Sequence, residues 1–263
     1  MPRVAARRKY LDECLAHEDW KRFGHLGLFC PDPPLFPNQK DLFEKASAAG
    51  FPTFSKHPTN VLTVRMVAAL IGTDVIWGTL DKFPPEESKT CSGSALQSGL
   101  HFLFSTLGSA IDWFAKEASE VYQLRLRDDE CGRGKVKNAF KSGLGRLLAK
   151  VSSLKGPDAY LSMCSKTEWV WRYRNHLVHG GFVEMAEPIC GDRYKLSDVR
   201  IRKHPKGKHL GPPFPLRDFC RSAFVDAAKG LNTAYEGILA DWAWILEAHP
   251  RKGVQQNPAQ VSP

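Results

Sequence analysis

Two apolar stripes decide what this chain can become. In the segment 216–248, Leu216, Phe219, Phe224, Ala228, Leu231, Tyr235, Ile238, Trp242 and Ile245 recur mostly at steps of three and four. Such steps place side chains along one side of an α-helix, which turns once in about 3.6 residues. A second stripe, Leu96, Leu100, Leu103, Leu107, Ile111 and Phe114, runs through a stretch ending near Leu124. Helices with one apolar side must bury it against other elements. Neither an internal repeat nor an alternation of strands and helices competes with this pattern. The chain therefore reads as all-α, with an antiparallel helical bundle over 91–250.

The segments between the stripes fit that bundle. A helix over about 135–154 carries Lys135, Lys137, Lys141, Arg146 and Lys150, a charge run that is either a solvated face or an RNA contact. Pro157 and Asp158 suit a helix start, and that helix runs to Gly180–Gly181, where it breaks. Residues 182–204 read as a small β-hairpin or irregular insertion. Residues 1–90 form an N-terminal helical layer, joined to the bundle through the seam 82–94. Its helices lie at about 4–22, at "NQKDLFEKASAAG" and at 61–80, the last capped by Thr59 or Asn60. The four prolines of "FCPDPPLFPN" exclude a helix between the first two. The tail 251–263 has no apolar pattern and reads as disordered.

Composition narrows the function. Across 263 residues, 37 Lys and Arg face 28 Asp and Glu, a net charge of +9 that favours a polyanionic partner. Arg65 and Asp74 interrupt the apolar run 61–80, so it reads as a core helix and no membrane span is expected. The basic N-terminus lacks the apolar core of a secretory signal, and a cytoplasmic location is expected. Seven cysteines without a CxxC pair give neither a zinc ribbon nor a disulfide framework, and read as reduced, mostly buried thiols. Phosphate-binding, dinucleotide, HExxH and GxSxG motifs are absent, which leaves kinase, oxidoreductase and serine hydrolase chemistry without support. No cofactor is expected.

The stretch "WRYRNHLVHGGF", 171–182, concentrates polar groups at the end of an apolar helix. Its run Arg174-Asn175-His176-Leu177-Val178-His179 resembles the R-x4-6-H motif of the HEPN family, often written R-N-x3-H. The resemblance extends over about 90–250 in helix order, with these six positions its specific part. It implies a metal-independent endoribonuclease acting in stress, toxin–antitoxin or antiphage defence. His179 would move the proton of an attacking 2′-OH, Arg174 would stabilise the phosphate, and Asn175 would orient the histidine or the ribose. The resemblance also implies a homodimer with a composite site and an antitoxin or sensor protein as partner. Where some members carry a tyrosine two residues past the histidine, this chain has Gly181. That departure argues against inhibition by modification there.

Geometry limits the motif. Residues five apart diverge by roughly 140° around a straight helix. Arg174 and His179 therefore share a site only if the helix ends between them or two copies combine. Polar residues in a last turn also serve the terminal carbonyls and the helix dipole. His176 is a possible secondary site residue. It lies three before His179, so the two share a helix edge, but a metal would need a third ligand from Asp158, Glu168 or Glu184, and none is expected. Arg172 suits a phosphate contact or a salt bridge to Glu168. Arg200, Arg202, Lys203, Lys206 and Lys208, with His204 and His209, form a basic loop that is either an RNA backbone clamp or a solvated surface. Asp112 and Trp113 either support the motif or are a core Trp beside a surface Asp. The rival to the nuclease is a non-catalytic helical module that binds RNA or protein.

Overall fold

The computed structural model describes residues 36–51, 62, 65, 66, 68, 69, 89–124, 126, 127, 131–142, 154–181, 200, 201 and 214–248. Seven helices are continuous among the described residues. They are α1 (Pro37–Ala48), α2 (Lys89–Val121), α3 (Arg133–Ser142), α4 (Lys155–Lys166), α5 (Glu168–Val178), α6 (Leu216–Ala240) and α7 (Trp242–Ala248). The fold is an all-α bundle. Of the hairpin or irregular insertion expected at 182–204 only 200 and 201 are described; they form β1 (Arg200–Ile201), antiparallel to β2 (Phe214–Pro215) beyond that range, with Arg200 opposite Pro215.

The two stripes meet as the sequence requires. Leu100, Leu103, Leu107, Ile111 and Phe114 on α2 are fully buried, as are Leu216, Phe219, Ala228, Leu231 and Tyr235 on α6. Phe114 sets its ring edge-on against Tyr235, with centroids 4.6 Å apart. At the other end of the seam Phe104 stacks on Tyr173 of α5 at 5.0 Å and tilts against Phe219 at 5.5 Å. Aromatic pairs at these separations add a preferred geometry to the area they bury. Helix α4 lies closely along α6, because Gly237 has no side chain. A Cβ there would stand 2.7 Å from that of Ala159.

Two helices expected to be continuous are broken. The segment 157–180 divides at Thr167, whose hydroxyl donates to the Met163 carbonyl at 2.8 Å. Such bonding four residues back competes with the helix ladder and bends the chain. The segment 216–248 divides at Asp241, whose carboxylate turns to the start of α4. There it accepts the backbone N–H of Lys155 at 2.9 Å and of Gly156 at 2.7 Å, and the Tyr122 hydroxyl at 2.7 Å. Asp241 thus caps a helix that begins 86 residues earlier.

Helix α1 packs on α6. Asn38 donates to Asn232 and to Glu236 at 3.2 Å each, and Phe51 meets Trp242 at 6.0 Å. Leu62, Met66 and Ala69 are helical and fully buried, which agrees with a core helix in the run 61–80. The expected helix at 4–22, the proline run at 31–34, the cap at Thr59 or Asn60 and the tail lie outside the described residues. No helix among the described residues is long and apolar enough to cross a membrane.

Candidate functional site

Helices α3 and α5 meet on a strongly basic face. Helix α3, "RGKVKNAFKS", carries Arg133, Lys135, Lys137 and Lys141 and no acid. Helix α5, "EWVWRYRNHLV", adds Arg172 and Arg174 against Glu168 alone. Lys135, Lys141 and Arg172 are exposed, and Arg174 is half-buried.

Arg133 fastens this face to the bundle. It is 97% buried on a relative scale, at 3% exposure. Its backbone N–H donates to Asp112 at 2.9 Å and its carbonyl accepts the Tyr160 hydroxyl at 3.2 Å. The guanidinium donates to the Cys164 carbonyl and to Glu168, the latter at 2.7 Å. It also lies over the Trp171 ring at 5.3 Å, while its Nε has no hydrogen-bond partner among the described residues. The π face gives the buried cation a negative surface where an oxygen is missing.

Glu168 gathers three cations. Besides Arg133, Lys137 lies at 3.6 Å and Arg172 at 3.6 Å. Partial burial raises the Glu168 carboxyl, but the Arg133 hydrogen bond and the charges of Arg133, Lys137 and Arg172 outweigh it and hold the pKa below its ordinary value. The salt bridge expected for Arg172 is thus present. The face retains more cations than its acids balance.

Arg174 and Asn175 pair with each other, Arg174 Nη1 donating to Asn175 Oδ1 at 2.9 Å. The Arg174 guanidinium also lies over Trp171, at 4.9 Å. Its stem crosses Gly108 of α2 so closely that a Cβ there would stand 2.7 Å from Arg174 Cγ. Asp112, one turn along α2, is raised by burial, with the Arg133 N–H and the charges of Arg174, Arg133 and Arg65 opposing that rise. Asp112 therefore belongs to this junction. Trp113 does not: its indole N–H donates to Glu117 at 2.8 Å, and Arg65 lies over its ring at 5.5 Å.

Helix α5 ends at Val178, and a glycine follows its C-cap residue. Gly180 takes φ +81°, its N–H reaches the Leu177 carbonyl at 3.2 Å, and the Gly181 N–H reaches that of His176 at 2.8 Å. His176 folds over Gly181, where any side chain would strike its imidazole. His179 occupies the C-cap, exposed, its backbone N–H bonded to the Asn175 carbonyl at 3.1 Å. Among the described residues no side-chain hydrogen bond joins His179 to Arg174 or Asn175.

Of the loop residues, Arg200 opens β1, and Arg202, Lys203, Lys206 and Lys208 lie outside the described residues with Arg146 and Lys150. No group of three His, Cys, Asp or Glu among the described residues could hold a metal. Sequence reasoning missed Arg133 as the anchor and Glu117 as a buried junction. Glu117 accepts from Trp113, from Gln39 at 3.4 Å and from the Tyr235 hydroxyl. Burial lifts its carboxyl to about 7 against those three donors. The only sequence signal for it is the step of four from Trp113.

No known protein family matches this chain, and no solved structure does. A curated relative is described as "Probable Brix domain-containing ribosomal biogenesis protein", from Methanopyrus kandleri, 30% identical over 129 residues. The match spans 48% of this chain and 66% of the relative's length. This likeness corrects the main functional expectation. The expected endoribonuclease of stress, toxin–antitoxin or antiphage defence gives way to the alternative reading of a binding module, since the relative's description concerns ribosome biogenesis. The composite homodimer and the antitoxin or sensor partner have no support apart from that activity.

Proposed function

We propose that this chain is a non-catalytic helical module that binds RNA through the basic face of α3 and α5. The carrying observation is the imbalance on those two helices, six cations against Glu168 alone. Such a surplus attracts phosphates and releases their counterions. The +9 charge of the whole chain and the ribosome-biogenesis description of the relative support the same reading. Arg174 and Asn175 then build the face, and His179 ends a helix. The basic loop from Arg200 through Lys208 adds further phosphate contacts.

The test is RNA binding by the purified chain, followed by fluorescence anisotropy at rising salt. Affinity is expected to fall linearly with salt on logarithmic axes, and the RNA to be recovered intact. Lys135→Ala with Arg172→Ala should weaken binding while leaving the helical melting curve in place. A folded protein that ignores RNA at low salt would sink the proposal.

A further inference from the structure

We infer that the α3/α5 face grips the phosphate backbone of duplex RNA and does not read or stack bases. The inference rests on the RNA reading and narrows it. Proteins that hold single strands without sequence preference offer free aromatic rings on which bases stack. The aromatic residues of α5 are already engaged. Two guanidiniums, Arg133 and Arg174, lie over the half-buried Trp171 ring. Tyr173 is fully buried between Phe104 and Phe219, at 5.0 and 4.9 Å. Trp169 is held edge-on to Tyr173 at 6.3 Å, and its N–H donates to Asp226 at 2.9 Å.

Base-edge readout is closed by the duplex itself, whose A-form major groove is too deep and narrow for side chains to read. An asparagine recognises adenine with its carbonyl and its amide together. The Asn175 carbonyl already accepts one hydrogen bond, from Arg174. The exposed cations of the two helices are Lys135, Lys141 and Arg172, long side chains suited to phosphate oxygens. Charges carried on short rigid helices match phosphates held at fixed spacing in a duplex better than those of a mobile strand.

The experiment compares four labelled RNAs at one salt concentration: two duplexes of unrelated sequence, of about 20 base pairs, and oligo-U and oligo-A of equal length. Tryptophan emission is recorded in the wild type and in Trp171→Phe. The expected result is equal affinity for both duplexes, at least about fivefold weaker binding of either single strand, and no quenching that depends on Trp171. Single strands bound as tightly as duplexes, or quenching lost in Trp171→Phe, overturns this inference and leaves the RNA reading standing. Failure to bind any of the four overturns both.

Discussion

Glu117 and Glu168 carry the same carboxyl group in opposite surroundings. Glu117 sits inside the bundle, 4% exposed, among three neutral donors from α1, α2 and α6, and burial lifts it to about 7. Glu168 sits at the rim of the basic face, 36% exposed, beside three cations that hold it below its ordinary value. The interior joins helices with uncharged donors that need no counterion. The face keeps its charges together and in surplus, where a polyanion can use them. Stability should therefore follow the interior acids, and RNA affinity the surface cations.

Asp241 offers the hardest blow to the interior half of that contrast. Asp241→Ala leaves the Tyr122 hydroxyl and two N–H groups at the start of α4 without an acceptor. It should cost about 4 kcal/mol in urea denaturation followed by helical circular dichroism. A loss under about 1 kcal/mol would mean that water replaces the carboxylate freely.

Next in size is pH. A carboxyl whose folded pKa is raised binds its proton more tightly in the native state. Its favourable contribution is therefore present at low pH and lost as pH rises from the unfolded value of 4.5 through about 7. The loss is on the order of 3 kcal/mol. Glu117→Gln should flatten stability across that window. Glu168 works in reverse: its folded pKa is depressed, so its contribution is present above the unfolded value and lost as pH falls through the folded one. Its exposure makes that limb small, and Glu168→Gln should leave the neutral limb untouched.

Gly108→Ala tests how the two halves connect. The new methyl must push the Arg174 stem aside, at a stability cost of about 1 kcal/mol, and displace the guanidinium from Trp171. Indole emission in RNA-free protein should shift with it. Arg172→Ala has the smallest effect on folding, within about 0.5 kcal/mol because its ion pair is 54% exposed on the arginine side. It should nevertheless reduce the salt slope of RNA binding by about 1. A reversed pattern, with Arg172 governing stability and Asp241 governing affinity, would dissolve the contrast.

The stripes on α2 and α6 were legible because helical burial imposes a period on sequence. Leu100, Leu103, Leu107 and Ile111 follow it and are buried without exception. The Gly180–Gly181 stop was legible for a local reason, since only the residues of that turn are involved. The breaks at Thr167 and Asp241 were not. Each coincides with a side-chain bond that helical periodicity does not record, and for Asp241 the partners lie 85 to 119 residues away. Arg133, Glu117 and Asp241 left no mark of their burial in the sequence, because enclosure by remote helices leaves no period behind. At the motif, the letters Arg174, Asn175 and His179 resembled a catalytic set. The bond between the first two and the C-cap at the third depend on Trp171, Gly108 and the turn beyond.

The cap on α4 also sets an order of events during synthesis. Residues 155 and 156 leave the ribosome long before residue 241, so the first turn of α4 must wait for its acceptor while some 85 residues are added. At about 5–20 residues per second that interval lasts several seconds. A nascent chain stalled before Asp241 should therefore exchange the amide hydrogens of Lys155 and Gly156 rapidly, and one extended past α7 should protect them. The C-terminal helices complete a knot that the middle of the chain cannot tie by itself.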